Sequence, residues 1–215
     1  MKRILNETKI ERLRISSIEL NEITDEFLLM MKDNKVLADH LHLPLQAGSN
    51  HILKLMNRHY DRDEFINKIN KIREVRPNIS ITTDIIVGFP EETDEDFNDT
   101  LNLCKDVKFS KIHAFPFSLR KGTKAEEYKE IKDNVKTNRM QQLMALDKIL
   151  DEEYKKKFLN SIQSIIIEDL HGDYFLGHSS NYLPIYVKNE NIQTSMMVNV
   201  LITEYKDGKL YGKLI

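Results

Sequence analysis

The sequence predicts an α/β protein, parallel strands alternating with helices, followed by a small antiparallel β-barrel. Three observations predict it. Apolar β-branched runs alternate with amphipathic helical stretches through the first 120 residues, which is the pattern of right-handed βαβ units. One of those runs, Ile81 to Val87, is apolar along nearly its whole length, as expected of a strand covered on both faces. After a long helical stretch, the last 55 or so residues break into short strands separated by turn signals, as in an OB-like barrel.

Arg12 to Ile18 alternates and reads as a first strand. Thr24 is placed to cap a helix carrying Asp25 and Glu26 in its first turn and Phe27, Leu28 and Met31 on one face. His40 to Leu45 reads as a second strand ending in a polar loop, with Ser49 placed to cap a short helix. Asp61 and Glu64 form a capping-box pair for the next helix, which Pro77 stops. Ile81 to Val87 is the third strand and Thr93 caps the helix that follows. Lys111 to Ser118 is the fourth strand. Four strands are too few for a closed eight-stranded barrel. The sheet is either open or the later part of a larger barrel, and an unprotected first edge favours the second reading.

Val135 to Asn160 reads as one long amphipathic helix joining two domains. Its end, Glu152 to Lys157, suits either a solvated terminus or an RNA contact. The candidate strands beyond it are Ile162–Ile167, Tyr174–His178, Tyr182–Val187, Met197–Glu204 and Leu210–Leu214. The expected domains are 1–133, 134–160 as connecting helix, and 161–215.

Composition narrows the function classes. The 215 residues carry a net charge of −2 and one cysteine, Cys104. Bulk charge therefore points to neither nucleic acid nor membrane. A lone cysteine excludes a disulfide or an all-cysteine metal site within the sequence. No apolar run approaches the roughly 18 residues of a membrane span, and a cytoplasmic location is expected.

Polar residues gather where strands end, which is where α/β enzymes place ligands. His40 and His42 share one strand face. They could ligate a metal or line a polar interior, and no third ligand stands at a recognisable spacing. Gln46 continues their parity, and Gly48-Ser49 leads into a helix N-terminus, a seat for an anion or simply a cap. Asp84 is a carboxylate inside an apolar strand and must face something polar. Gly88 permits close approach of a flat ligand. Arg120 follows the last strand and suits an anionic group. In the last domain Tyr174, Phe175, Tyr182, Tyr186 and Tyr211 offer stacking faces or core. Lys188, Lys206, Lys209 and Lys213 are offset there by Glu168, Asp169, Asp173, Glu190, Glu204 and Asp207.

Taken together, His42-Leu-Pro-Leu-Gln-Ala-Gly-Ser-Asn50, Met56-Asn-Arg58, Thr82-Thr-Asp-Ile-Ile-Val-Gly-Phe-Pro90 and Lys111-Ile-His-Ala-Phe-Pro-Phe-Ser118 resemble the radical S-adenosylmethionine methylthiotransferases. Ser110 to Pro116 is most similar to the branch acting on threonylcarbamoyladenosine beside the tRNA anticodon. Gly177, Asn181-Tyr182 and Gly212-Lys-Leu resemble a TRAM domain. The resemblance implies a partial radical-SAM-type (β/α) barrel, here its third to sixth strands, followed by an RNA-binding TRAM barrel. It implies S-adenosylmethionine as cofactor, with Gln46, Ser49, Asp84, Gly88, Phe89 and Arg120 around it. It implies Tyr182, Lys188 and Lys213 as RNA contacts, with a tRNA anticodon stem-loop as partner.

The family's three-cysteine motif, which holds a 4Fe–4S cluster, is not in the sequence, and Glu91 stands where the family usually has Gly. The resemblance thus implies the C-terminal part of such an enzyme, partnered by the enzyme's N-terminal portion and not itself expected to perform the radical step. The alternatives are a non-catalytic RNA-binding fragment and a methylthiotransferase acting on isopentenyladenosine.

Overall fold

The structure, a computed structural model, describes residues 1–188 and 192–215; Glu190, counted above among the acids, lies outside them. A short helix α1 (Lys2–Glu7) leads into α2 (Asp25–Asp33), where the Thr24 hydroxyl accepts from the Phe27 N–H at 3.1 Å. Strand β1 (His40–His42) is followed by α3 (Asn50–Leu55) and α4 (Arg62–Val75). The Asp61–Glu64 capping box is present in both directions. α4 stops before Pro77 because the residue preceding a proline is pushed out of the helical region. β2 (Ser80–Val87), α5 (Asp94–Val107, with a Thr93–Asp96 capping box), β3 (Lys111–Pro116) and the long α6 (Asp133–Lys156) complete the layer.

The sheet is parallel with order β1-β2-β3. It has three strands, not four. Arg12 to Ile18 makes one isolated bridge, Leu13 to Leu37, and its chain bends at Ser16. Its two ends are held, Leu13 by Val36 and Ala38 and Ile18 by the His42 carbonyl at 3.1 Å, while Arg12 reaches away from the sheet to the carbonyls of His178 and Ser164. A residue engaged outside the sheet interrupts the alternation that a ladder needs.

The second part is a closed five-stranded barrel of β4 (Ile162–His171), β5 (Tyr174–Ser179), β6 (Pro184–Lys188), β7 (Met197–Lys206) and β8 (Lys209–Leu214) in the order β4-β5-β6-β8-β7. The expectation of an antiparallel barrel needs one correction: β6 and β8 pair in parallel, Tyr186 opposite Tyr211, and that pair closes the barrel and removes its edges. Closure there requires Gly212, since a Cβ would lie 2.3 Å from Val200 Cγ1 and 2.8 Å from the Leu201 carbonyl.

Two apolar clusters fill the molecule. Leu41, Ile52, Phe65, Ile81, Ile85, Phe109 and Leu143 belong to the one between sheet and helices, and Ile165, Ile185, Val200 and Leu210 to the one inside the barrel. Tyr154, in the last turn of α6, and Phe158, just past its end, belong to the second cluster. The helix therefore plugs the barrel with one end while packing on the sheet with the other. None of the helices is long and apolar enough to cross a membrane, among the described residues.

Candidate functional site

One face of the sheet ends in a cavity of about 900 Å³. Asp84 and Ile86, at alternate positions of β2, form its floor, and Gln46, Phe89, Phe117 and Arg120 stand around it. Gln46 bridges to β2 in an unusual way. Its N–H donates to the Asp84 carbonyl and its carbonyl accepts from the Ile86 N–H, both at 2.8 Å, with the backbone at φ +71°. A non-glycine residue held in the left-handed region is strained, and here two ladder bonds enforce it at the mouth of the cavity.

Asp84 is 27% exposed at its side chain, with Oδ2 3.3 Å from His42 Nε2, so its polar partner is a histidine of the neighbouring strand. Phe89 meets Phe117 edge-on at 5.0 Å and Tyr128 at 6.3 Å. Aromatic wall, amide, carboxylate and guanidinium within one volume suit a ligand that is planar at one end and zwitterionic at the other.

Two of the expected cofactor residues lie behind this wall rather than on it. Ser49 is buried and its hydroxyl donates to Asp96; it makes no side-chain cap for α3. Gly88, at φ +75°, donates its N–H to Glu92 at 2.9 Å. The space a side chain would take there is filled by the stem of Lys136 from α6, so the close approach that glycine permits is used by the protein itself. Glu91 has φ +67°, which gives a physical reason for glycine at that position in the family. Its carboxylate accepts from the Lys129 N–H at 2.9 Å.

Glu92 and Arg139 support the loop that carries Phe89, a pairing that no local sequence pattern signals. Arg139 donates to the Glu92 carboxylate at 2.7 Å and to its carbonyl at 3.0 Å. Burial pushes the Glu92 carboxyl up, against the Gly88 N–H and the Arg139 charge, which hold it down.

Asp96 gathers a second group. Burial would raise its carboxyl, but donors from Ser49, Thr93 and His51 outweigh that and bring it from an ordinary 3.8 to about 2. A depressed carboxylate contributes stability that is complete above the ordinary value and lost as pH falls from there through about 2. Asp96→Asn is therefore expected to flatten the acid limb of stability by about 2 kcal/mol. Urea unfolding at stepped pH checks this, and an acid limb identical in the two proteins would refute it.

The three expected RNA contacts do not come together. Lys188 and Lys213 are exposed and stand one step past the Val187–Gly212 pair. Tyr182 is six residues before Lys188, about 20 Å along an extended chain, and sits at the seam between barrel and sheet with the Arg14 guanidinium 4.1 Å from its ring centroid. The lysines instead flank Tyr174, Tyr186 and Tyr211, whose rings lie 5.4 Å (Tyr174–Tyr211) and 5.6 Å (Tyr186–Tyr211) apart, with Lys209 Nζ 4.9 Å from the Tyr186 ring. Phe175 points into the barrel core.

Residues 1–104 match the radical SAM superfamily. Threonylcarbamoyladenosine tRNA methylthiotransferase MtaB of Bacillus subtilis is 37% identical over 210 residues, which cover 93% of this chain and 47% of that protein. The chain is a relative of the radical SAM tRNA methylthiotransferases. The tRNA-2-methylthio-N(6)-dimethylallyladenosine synthases of Aquifex aeolicus and Clostridium tetani are 36% and 42% identical over 207 and 160 residues. They are covered to 47% and 35%, and cover 96% and 74% of this chain. The chain thus spans about half the length of MtaB and of the Aquifex enzyme.

Among solved structures, the radical SAM enzyme coproporphyrinogen III oxidase of Escherichia coli superposes with a TM-score of 0.54 at 16% identity, over 79% of this chain and 46% of that one. At that identity the likeness shows the fold alone.

The chain's own described residues do not fit an iron–sulfur cluster. Cys104 is fully buried and burial pushes its thiol up to about 12, the reverse of what a thiolate ligand needs. Among the described residues no three His, Cys, Asp or Glu side chains are placed to hold a metal.

Proposed function

We propose that the chain seats S-adenosylmethionine and holds RNA within a tRNA methylthiotransferase acting on N6-threonylcarbamoyladenosine beside the anticodon. The observation that carries the reading is that Gln46, Asp84 with Phe89, and Arg120, from the ends of three successive strands, line a single cavity. Phe89 and Phe117 give a planar base an apolar wall. Asp84 suits an amino group, and Arg120 a carboxylate. Bound S-adenosylmethionine supplies a methyl group and the source of an adenosyl radical. The chain's residues orient it and keep its charged end paired, and no radical step is assigned to them.

In this reading residues 1–133 are the cofactor layer, 134–160 the connecting helix, and 161–215 a TRAM-like, OB-like barrel. The barrel grips an anticodon stem-loop by the outward tyrosines and the lysines beside them. The enzyme's N-terminal portion is the expected partner for the radical step.

Equilibrium dialysis of the full chain against labelled S-adenosylmethionine tests the cofactor reading. Saturable binding is expected, weakened about tenfold by Arg120→Ala, the loss of one charge-assisted contact. Absence of saturable binding, or an unchanged affinity in the variant, would overturn it.

A further inference from the structure

The sheet face that ends in the cofactor cavity begins in a second one. Ser80 and Thr82 precede Asp84 on β2 with the same parity, and His40 and His42 on β1 and Lys111 and His113 on β3 flank them. The five-stranded barrel closes over this end. Arg12 donates to the carbonyls of His178 and Ser164 at 2.9 and 3.0 Å, Ser180 donates to Asp39 at 3.0 Å, and the Tyr154 hydroxyl donates to the Asn78 carbonyl at 2.8 Å. The result is a cleft of about 510 Å³ with walls from both parts of the molecule, a size ordinary for a small-molecule site.

Its charge is unevenly satisfied. The wall carries Arg14, Lys111 and Lys155 against one carboxylate, Asp151. Lys155 pairs with Asp151 at 2.7 Å and Lys111 with Asp147. Of the other carboxylates nearby, Asp39 is paired with Arg76 at 2.8 Å, while Asp84 and Glu168 lie 3.3 and 2.9 Å from the rings of His42 and His178.

Arg14 has neither an ion pair nor a hydrogen-bond acceptor among the described residues. Its one partner is the ring of Tyr182, which stacks on His178 at 4.5 Å and 19° and lies 5.1 Å from the His40 ring. That stacking holds the guanidinium plane at the cleft while leaving its donors free. His40 is 3% exposed and its Nδ1 is buried without a partner. Burial first, and the Arg14 charge second, keep its ring neutral, with its pKa down to about 4. Ser16 also lines the cleft, with Ser80 bonded to Ser110 at 2.6 Å and Thr82 to His42 at 2.9 Å.

We propose that this cleft is an oxyanion site for a phosphate-sized ligand, free or as the end of a small phosphomonoester, anchored by Arg14 with His42 and His113 beside it. A preorganised guanidinium fork is matched to tetrahedral oxyanions. The one carboxylate of the lining, Asp151, is paired with Lys155, so the Arg14 fork is the unpaired charge that meets a ligand there. The site is separate from the S-adenosylmethionine cavity, which opens at the opposite ends of the same strands; the two meet only where His42 of one stands 3.3 Å from Asp84 of the other.

The test is a titration of the full chain, with labelled histidine side chains, by inorganic phosphate and in parallel by ribose 5-phosphate at low ionic strength. Saturable shifts of the His42 and His113 ring resonances are expected. Arg14→Gln is expected to weaken binding about tenfold or more, and Arg14→Lys, which keeps the charge and loses the fork, by less. Arg120→Gln, in the other cavity, should leave it unchanged. Tighter binding of ribose 5-phosphate supports a phosphomonoester as ligand, and equal or weaker binding supports the free ion. The proposal is overturned by the absence of saturable shifts with either anion, by wild-type affinity in Arg14→Gln, or by shifts that only stem-loop RNA produces. Arg14 is exposed, so its variants are expected to fold, and an unchanged thermal midpoint verifies that.

Discussion

Arg139→Met is expected to lower the unfolding free energy by about 3–5 kcal/mol, the cost of stranding a buried charge by removing its partner. The Arg139 side chain is 5% exposed and that of Glu92 1%. The guanidinium also donates to Asp94 at 2.7 Å and lies over the Phe97 ring at 5.5 Å. Without it, Glu92 keeps only the Gly88 N–H as a donor among the described residues. Burial already raises that carboxyl above its ordinary 4.5, and losing the cation raises it further.

The sign follows from linkage. A carboxyl with a raised folded pKa binds its proton more readily when folded, so the variant's deficit is smallest in acid. It grows as pH rises from the wild-type's raised value toward the variant's still higher one. The double variant Glu92→Gln, Arg139→Met removes the charge along with its partner and is expected to recover most of the loss. Urea unfolding at pH 5 and pH 7 measures both effects. A single variant that loses less than about 1 kcal/mol, the level of an exposed pair, would show that the pair holds nothing together. The pair also joins α6 to the loop beneath Phe89, so the loosened variant is expected to bind S-adenosylmethionine more weakly than the double.

Local chemistry was legible in the sequence. Thr24, Asp61 with Glu64, and Thr93 cap the helices they precede because a short polar side chain before an apolar periodic run has few other uses. The parity of His40, His42 and Gln46, and the misfit of Asp84 in an apolar strand, pointed to one polar sheet face, and the structure has both cavities on it. What failed depended on partners far along the chain. Arg12 to Ile18 alternates like a strand, yet Arg12 bonds to residues 152 and 166 positions away. Arg139 lies 47 residues from Glu92, on a helix whose charged residues otherwise read as a wet face. Gly88 reads identically whether a ligand or Lys136 occupies the space beside it. The parallel β6–β8 pair leaves no mark in either strand, since parity is the same for both directions.

Tyr186→Ala combined with Tyr211→Ala is expected to weaken binding of an anticodon stem-loop by about 10- to 100-fold, from a stacking contribution of about 1–3 kcal/mol per base. The reason to choose this pair is geometric. The two tyrosines stand opposite each other across the parallel β6–β8 register, outside the barrel whose interior takes Ile185, Val187 and Leu210. Lys188 and Lys213 continue the two strands beside them. Changing each lysine to glutamine is expected to lower the salt slope of binding by about one, as one phosphate contact is lost. The lysines act through charge, and the tyrosines, acting through stacking, should leave that slope unchanged. Tyr182 separates the two readings of the barrel. Its ring is committed to Arg14 and His178 at the seam, so Tyr182→Ala is expected to leave stem-loop affinity within about twofold while altering the oxyanion cleft. If instead Tyr182→Ala abolishes stem-loop binding and the Tyr186, Tyr211 double does not, RNA enters at the seam and the outward tyrosines are surface alone. Fluorescence anisotropy with the labelled stem-loop, repeated over a salt series, reads all of these variants in one experiment.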